Sequence, residues 1–495
     1  HSHPISRRLN GNTCKHDEDY GWEVRQAILE GLPQFEKNRS HLISMLIQAL
    51  GDRQPQIRKV AALQLRLLGV SVIPALVRSL GGNHHIIRKG ASDLLVGFGS
   101  LGLPSLMKVF LQAKLDLRWY ASVRVMKRMG QEIKSATFQL CKSLQPTPKK
   151  KQEWMKASAE LLSQLGKQGF ACLWSTVLKS RSKYAVYGIG LLRPASPKVN
   201  ETLLHLALLK GHPSQKRALW ALGQIGSPAK SLLPKLLEAN PGQALYPQWL
   251  EAVFRVGSSS KEVLLLARRL LSEPKTVPEL AIRALQFFRE HKNTKSQDIE
   301  KILSWLSHTD KRTREWALES LANKPSHKVL ICRKLEILLR NQYTYNRIIA
   351  MKLAGRMGSC SLVISRKIAL LLKKTQNPRE QEAGIVALGN MTSNLSMTLN
   401  TLKDFFSHKN WKLRASAVKA VGHIGPKAIG LLYELVRMTR DRKWLVRKYT
   451  ALSLGKMGRR ASPAIPALRM LVHDRVISIR PMAQDAIESI LGLKK

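Results

Sequence analysis

The chain has 495 residues, of which 44% are apolar, and its 82 lysines and arginines against 33 acidic residues give a formal net charge of +49. That apolar share can fill a continuous core, while no apolar run reaches the roughly 18 residues of a membrane span. Five scattered cysteines without a CxxC pair argue against a disulfide scaffold and a zinc site. Because so large a positive excess repels itself, we expect a polyanionic partner: nucleic acid, an acidic protein or an anionic surface.

Residues 1–18 are polar and lack periodicity, so we predict a flexible amino-terminal tail there. Helix pairs follow, and the clearest early one occupies residues 51–80. In it, Arg58 lies in the first turn of a helix, Gly69 ends that helix and Pro74 begins the return helix. The next repeat has the same spacing, with Gly 11 residues and Pro 16 residues after its arginine.

The period is blurred in the middle of the chain and is clearest near its carboxyl end. There, arginines and glycines recur at intervals of 33 residues: Arg414, Arg447 and Arg480, and Gly425 and Gly458. No segment has the two-residue period of a strand, which predicts an all-α fold. Beyond the tail we expect amino-terminal repeats over 19–182, degenerate central repeats over 183–307, and carboxyl-terminal repeats over 308–495 with a truncated last repeat as cap.

The repeats resemble HEAT repeats, and more narrowly the short bacterial HEAT-like type first noticed in phycobilin lyases. The resemblance implies an α-solenoid, a right-handed superhelix of roughly fourteen helix pairs that serves mainly for binding. It also implies a structural ladder, in which an Asp in the turn and an Arg six residues later tie adjacent repeats together. The spacing holds for four pairs: Asp19 and Arg25, Asp52 and Arg58, Asp441 and Arg447, and Asp474 and Arg480.

In other repeats the arginine lacks an aspartate six residues before it. That position holds Gly82 before Arg88, Gln112 before Arg118, Asn341 before Arg347 and His408 before Arg414. An arginine without its aspartate either donates to backbone carbonyls or is available to an external phosphate or carboxylate. We therefore predict a polyanion-binding set that contains Arg88, Arg118, Arg347 and Arg414, and we include Arg447, although Asp441 stands six residues before it.

Two tryptophans join that set. Trp411 precedes Arg414 and Trp444 precedes Arg447, each by three residues, so each pair shares one face of a helix. An aromatic ring beside a cation is the arrangement that stacks bases and holds phosphates. The favoured alternative is that each tryptophan packs on the previous repeat as a hydrophobic staple.

No motif for catalysis, for a cofactor or for a metal is evident. The glycines are spaced as helix ends rather than as a phosphate-binding loop, and no HExxH sequence is present. Some HEAT-like proteins, the alkylpurine DNA glycosylases, process damaged DNA in a basic groove, but we can assign no catalytic aspartate here. We therefore expect a protein that is not an enzyme, without cofactor, metal or small-molecule substrate.

The favoured function is a scaffold whose basic surface holds an extended acidic protein or a multiprotein complex. Two alternatives stay open: a solenoid that binds DNA or RNA without sequence preference, and an exported protein on an anionic envelope surface. A cytoplasmic location is slightly favoured, and export stays open because the sequence begins with His1 rather than Met.

Overall fold

The computed structural model describes residues 21–112, 114–145, 152–239, 241–273, 276–291, 294–358, 362–391 and 393–493. The predicted tail and Asp19 lie outside these ranges. In the described residues helices alternate with short turns and no strand occurs, which confirms the all-α fold. The chain forms two compact units, His1–Gly257 and Ser258–Lys495.

The amino-terminal unit is a succession of helix pairs, and the stretch from residue 183 onward continues the same alternation. Its helices are α1 Trp22–Phe35, α2 Arg39–Ala49, α3 Pro55–Leu67, α4 Ile73–Ser79, α5 His85–Gly97, α6 Leu103–Gln112, α7 Leu117–Met129, α8 Thr137–Ser143, α9 Gln152–Ser163, α10 Gly166–Ser180, α11 Lys183–Leu192, α12 Pro197–Leu208, α13 Gln215–Ile225, α14 Leu233–Glu238 and α15 Tyr246–Val256.

The carboxyl-terminal unit has the same alternation. Its helices are α16 Lys261–Ser272, α17 Pro278–Glu290, α18 Ser296–Ser304, α19 Lys311–Ala322, α20 Lys328–Leu338, α21 Thr344–Met357, α22 Leu362–Lys374, α23 Pro378–Asn390, α24 Leu395–Asp404, α25 Trp411–Ile424, α26 Leu432–Met438, α27 Trp444–Lys456, α28 Ile465–Val472 and α29 Arg480–Leu491. Within each unit the odd-numbered helices pack on one another in chain order and form a layer, which we call the odd-helix layer of that unit.

Small residues let the helices of the odd-helix layer approach closely. A Cβ added at Gly355 in α21 would lie 2.8 Å from the Cα of Ala387 in α23. One added at Gly389 would lie 2.6 Å from the Cβ of Ala420 in α25. Because the small residues recur with the repeat, the same close contact is made again at successive interfaces.

The predicted helix ends are confirmed at the glycines that carry the period. Gly69, Gly425 and Gly458 follow α3, α25 and α27 and have φ values of +68°, +68° and +63°. A residue with a Cβ is strained at such φ values, so glycine is required where the chain leaves one helix and turns toward the next.

The apolar residues of each helix pair are buried between neighbouring pairs, as Ile57, Leu76 and Leu94 illustrate. In the described part of the chain no single helix is long and apolar enough to cross a membrane. Two pairs of consecutive helices, within residues 55–79 and 85–112, are long and apolar enough only when the two helices of a pair are counted together. The helices of these pairs are bent relative to each other by 118° and 119°.

Disulfides are present, although the scattered cysteines argue against a disulfide scaffold. Cys141 in α8 and Cys172 in α10 form a disulfide with a Cα–Cα distance of 5.9 Å, and Cys332 is also disulfide-bonded. The two cysteines of the first bridge are 31 residues apart, close to one repeat. They therefore occupy similar places in successive even-numbered helices, and the bridge ties one repeat to the next.

We predict that Gly355→Ala lowers the free energy of unfolding by about 1–3 kcal/mol, because the added methyl group would press on the backbone of Ala387. Gly430→Ala is the matched control, since a Cβ there meets nothing within 4 Å. Urea denaturation of the two variants measures the difference. Equal stability of both would contradict the close packing of α21 on α23.

Candidate partner-binding surface

The recurrent arginine holds the turn that precedes its own helix. In seven repeats an arginine nitrogen donates to the carbonyl oxygen of the residue six positions earlier, whatever that residue is. Arg447 Nη1 lies 2.9 Å from the carbonyl oxygen of Asp441, and Arg414 Nη1 lies 2.8 Å from that of His408. Arg58, Arg88, Arg314, Arg347 and Arg480 make the same contact. The six-residue spacing therefore reflects a backbone contact.

The carboxylate of the turn binds the arginine of the preceding repeat. Arg447 Nε and Nη2 donate to the two carboxylate oxygens of Asp474, at 2.7 and 2.8 Å. Arg414 binds Asp441 in the same way, at 2.7 and 3.0 Å. In the amino-terminal unit Arg25 binds Asp52, at 3.1 and 3.3 Å. Each pair joins residues 27 positions apart, so it links two successive repeats.

These pairs are largely buried and strongly coupled. The side chains of Arg447 and Asp474 are 8% and 6% exposed. The hydrogen bond from Arg447 lowers the pKa of the Asp474 carboxyl below its ordinary value, and Asp474 in turn raises the pKa of Arg447. Two charges removed from water in this way stabilise the fold only while both are present.

The interpretation of Arg347, Arg414 and Arg447 as arginines available to an external anion is corrected by this geometry. Arg414 lacks an aspartate before it but binds Asp441 after it. Arg347 binds Glu380, with Nε 2.5 Å and Nη2 3.1 Å from its carboxylate oxygens. All three guanidinium groups already hold a carboxylate, so they serve the ladder.

Arg88 and Arg118 differ from these three, because neither binds a carboxylate in the described residues. Arg88 donates to the carbonyl oxygen of Gly82, and the exposed Arg118 lies over Gly81. Two arginines that we placed in the ladder, Arg58 and Arg480, also bind only backbone carbonyls of their own turn. Arg88 and Arg118 stay candidates for binding a partner.

A rung of the ladder, meaning an arginine paired with a carboxylate of the next repeat, is incomplete at Arg314, and the sequence pattern did not reveal it. Asn341 stands 27 residues after Arg314, at the position that holds Asp441 after Arg414 and Asp474 after Arg447. Arg314 Nε is buried and has no hydrogen-bond partner in the described residues, while its guanidinium lies 4.6 Å from the ring centre of Tyr345. A comparison of residues 27 positions apart, rather than six, would have found it.

The two predicted tryptophans lie in the first turns of α25 and α27. Trp411 is half-buried, and the Nζ atoms of Lys412 and Lys443 lie 5.9 and 5.8 Å from the centre of its ring. Trp444 is 39% exposed. Trp411 therefore packs between α25 and the turn before α27 and already has two cations against its ring, whereas Trp444 presents part of its ring to solvent.

Unpaired cations cover the solvent side of the odd-helix layer in the carboxyl-terminal unit. Six lysines and arginines of α21, α23, α25, α27 and the turn after α25 are exposed and form no ion pair with another described residue. They are Lys352, Arg379, Lys412, Lys419, Lys427 and Lys456. We call this set the basic face. Within these four helices, which are described throughout, Glu382 is the one exposed carboxylate. An anionic partner would meet little repulsion there.

A cleft of about 460 Å³ opens in the basic face at the carboxyl ends of α23, α25 and α27. It is lined by Gly389, Asn390, Gly422, His423, Ile424, Lys427 and Lys456. The glycines that allow close helix contact leave no side chains to fill this space. The charged groups of its wall are all basic.

Residues 399–488, which contain two complete rungs of the ladder, match the family of HEAT repeats. This part of the chain consists of HEAT repeats. No curated protein sequence matches the chain.

Among solved structures, the chain is similar to a structure of Kap95p with RanGDP, at 12% identity and a TM-score of 0.49, over 98% of this chain and 72% of that one. It is also similar to Kap121p bound to the extreme C-terminus of the protein phosphatase Cdc14p, at 11% identity and a TM-score of 0.47, over 99% of this chain and 62% of that one. At these identities and TM-scores the likeness carries no inference about a partner.

We predict that Arg447→Ala lowers the free energy of unfolding by about 3–5 kcal/mol, because it leaves the buried Asp474 carboxylate without its cation. Arg442→Ala is the control: this exposed arginine lies in the same turn, and its substitution should change stability by less than about 0.5 kcal/mol. Chemical denaturation measures both. An unchanged free energy of unfolding of the Arg447 variant would show that the ladder does not stabilise the stacking of the HEAT repeats.

Asn341→Asp should complete the missing rung and raise the free energy of unfolding by about 1–3 kcal/mol, since Arg314 Nε would gain a charged acceptor. The control is the same substitution in an Arg314→Gln background, where the gain should disappear. A gain of equal size in both backgrounds would mean that the effect does not come from the rung.

Proposed function

We propose that this protein is a non-enzymatic HEAT-repeat scaffold that binds an extended acidic protein segment on the basic face. The observation that carries the proposal is the contrast between paired and unpaired charge. The ladder arginines are buried against carboxylates, whereas the cations of the basic face are exposed and have none. Exposed cations without internal partners contribute little to folding stability, and they are available to attract an acidic partner.

The spacing of the basic face fits an extended chain. Packed helices lie about 8–10 Å apart, and the cations recur on successive odd-numbered helices. An extended peptide advances about 3.3 Å per residue, so it passes one helix roughly every third residue. A partner segment with an acidic residue at about every third position would therefore place one carboxylate near each helix.

The contacts of Trp411 and Tyr449 favour an acidic protein over nucleic acid, whereas the partly exposed Trp444 does not distinguish the two. Single-stranded nucleic acid is held by free aromatic rings on which bases stack. Here Lys412 and Lys443 lie against the ring of Trp411, and Lys419 lies 5.8 Å from the ring centre of Tyr449. A base would have to displace these cations, whereas a carboxylate can bind them where they are.

A second candidate is an exported protein that binds an anionic envelope surface, and the disulfides favour it. Disulfides persist in oxidising compartments and are rare in the cytoplasm, where thiols are kept reduced. The bridge between Cys141 and Cys172 and the bonded state of Cys332 fit a protein that works outside the cytoplasm. This candidate uses the same basic face with a polyanionic polymer in place of an acidic protein.

The test is a titration of the full chain with a glutamate-rich peptide, duplex DNA, heparin and anionic vesicles at several salt concentrations. We expect the peptide to bind in a salt-dependent manner and more tightly, for equal charge, than DNA or heparin. Arg379→Gln/Lys419→Gln should weaken peptide binding by about three- to tenfold, since each removes one exposed ion pair with the partner.

Lys367→Gln/Lys403→Gln removes the same charge and serves as the control, because these lysines are already paired with Glu336 and Glu434. Equal weakening by both double variants would mean that only net charge matters and would contradict a specific basic face. Tighter binding to heparin or vesicles would favour the envelope candidate, and tighter binding to DNA would favour a nucleic-acid solenoid.

A further inference from the structure

The cleft at the carboxyl ends of α23, α25 and α27 differs from the rest of the basic face because its cations converge. Lys427 follows α25, Lys456 is the last residue of α27, and both line the same space with His423. Lys419, one turn before His423 on α25, adds a third positive charge close enough to act on the imidazole. None of these lysines forms an ion pair within the described residues.

Complementation of the helix dipoles explains only part of this arrangement. Lysines near the carboxyl end of a helix are stabilised by its partial negative charge. That accounts for Lys456 and in part for Lys427, but Lys419 lies in the middle of α25. The two lysines that line the cleft and Lys419 beside it repel each other, and a bound anion would relieve that repulsion.

A hydrogen bond with the neighbouring Asn390 fixes the orientation of the His423 ring. Its Nδ1 lies 3.1 Å from Oδ1 of Asn390, so the tautomer that donates from Nδ1 to this amide oxygen leaves Nε2 as the free nitrogen. Burial first, and then Lys456 and Lys419, lower the pKa of His423 below its ordinary value, which keeps the ring neutral at pH 7. An anion in the cleft would reverse the local potential and favour a protonated ring that donates from Nε2.

We propose that this cleft binds a phosphate group, carried by a phosphorylated side chain of the acidic partner, through Lys427, Lys456 and His423. This inference rests on the proposed function and adds to it an anchoring point for one residue of the partner. A phosphate monoester has close to two negative charges and three acceptor oxygens, which match two lysines and one protonated imidazole. A carboxylate, with one charge and two oxygens, would leave part of this positive set unmatched.

Calorimetric titration of the full chain with a short acidic peptide tests the proposal, with the peptide in two forms: one central phosphoserine, or serine at that place. We expect the phosphopeptide to bind about tenfold more tightly. Lys427→Gln/Lys456→Gln should abolish this preference. Lys409→Gln/Arg442→Gln removes two exposed cations from the turns outside the cleft, so it should weaken both peptides alike and keep the preference.

The His423 ring gives a second measurement. Its neighbours are Asn390 from α23, Lys419 on its own helix, Lys427 from the following turn and Lys456 from α27. We expect saturation with phosphopeptide to raise the pKa of His423, followed by NMR, by about one unit or more. The serine peptide should leave it nearly unchanged. An equal shift with both peptides would overturn the assignment of phosphate to this cleft.

The outcomes separate the two proposals. If both peptides bind with equal affinity and a strong salt dependence, the cleft assignment fails and the proposed function stands. If neither binds, the proposed function fails and the cleft assignment fails with it. Inorganic phosphate as the third probe identifies the source: binding as tight as that of the phosphopeptide would overturn the assignment to a partner's side chain.

Discussion

The stacking of the repeats depends on a recurrent arginine whose guanidinium group makes two kinds of contact at once. Nη1 of the recurrent arginine holds the turn of its own repeat, while Nε and Nη2 hold a carboxylate of the next repeat, as at Arg414 and Arg447. A planar group with donors on two edges can do this, whereas the single ammonium group of a lysine cannot. The contact fixes the turn and the distance between repeats together, and the small residues of the odd-helix layer then pack at that distance.

The pairing of acidic residues with cations inside the chain explains why the exposed positive charge is not neutralised. Between Glu336 and Asp474, five of the seven acidic residues bind a lysine or arginine of the chain itself. Carboxylates committed to internal pairs cannot neutralise the exposed lysines on the solvent side of the odd-helix layer. The overall excess of +49 therefore lies mainly on the surface, while the two opposite charges of each buried ladder pair neutralise each other.

Most of the fold could be predicted from the sequence, because the signals that carry it are local. Glycines such as Gly425 and Gly458 end helices through their own φ values, and the 33-residue recurrence of arginine marks the repeats. The roles of individual arginines could not be predicted as well. Arg414 has no aspartate before it, and its partner lies in the following turn, so its pairing depends on how two repeats stack.

Other features were missed for the same reason. Glu380 binds Arg347 from the first turn of α23 rather than from the turn where the aspartate stands in other repeats. The bridge between Cys141 and Cys172 joins residues about one repeat apart, a relation that appears only when successive repeats are aligned. The cleft beside His423 arises from glycines on different helices, and its position follows from packing rather than from any motif.

The ladder also has a direction, because each of its paired arginines binds a carboxylate of the repeat that follows, as Arg25, Arg414 and Arg447 do. A segment of one period, such as residues 441–473, carries its own arginine at one edge of the interface and its own aspartate at the other. If this segment were duplicated or lost as a whole, Arg414 would still meet an aspartate at the same distance along the chain. Gain or loss of a fraction of the period would leave buried charges without partners. The interaction that stabilises each interface therefore also favours a chain length that changes in whole repeats.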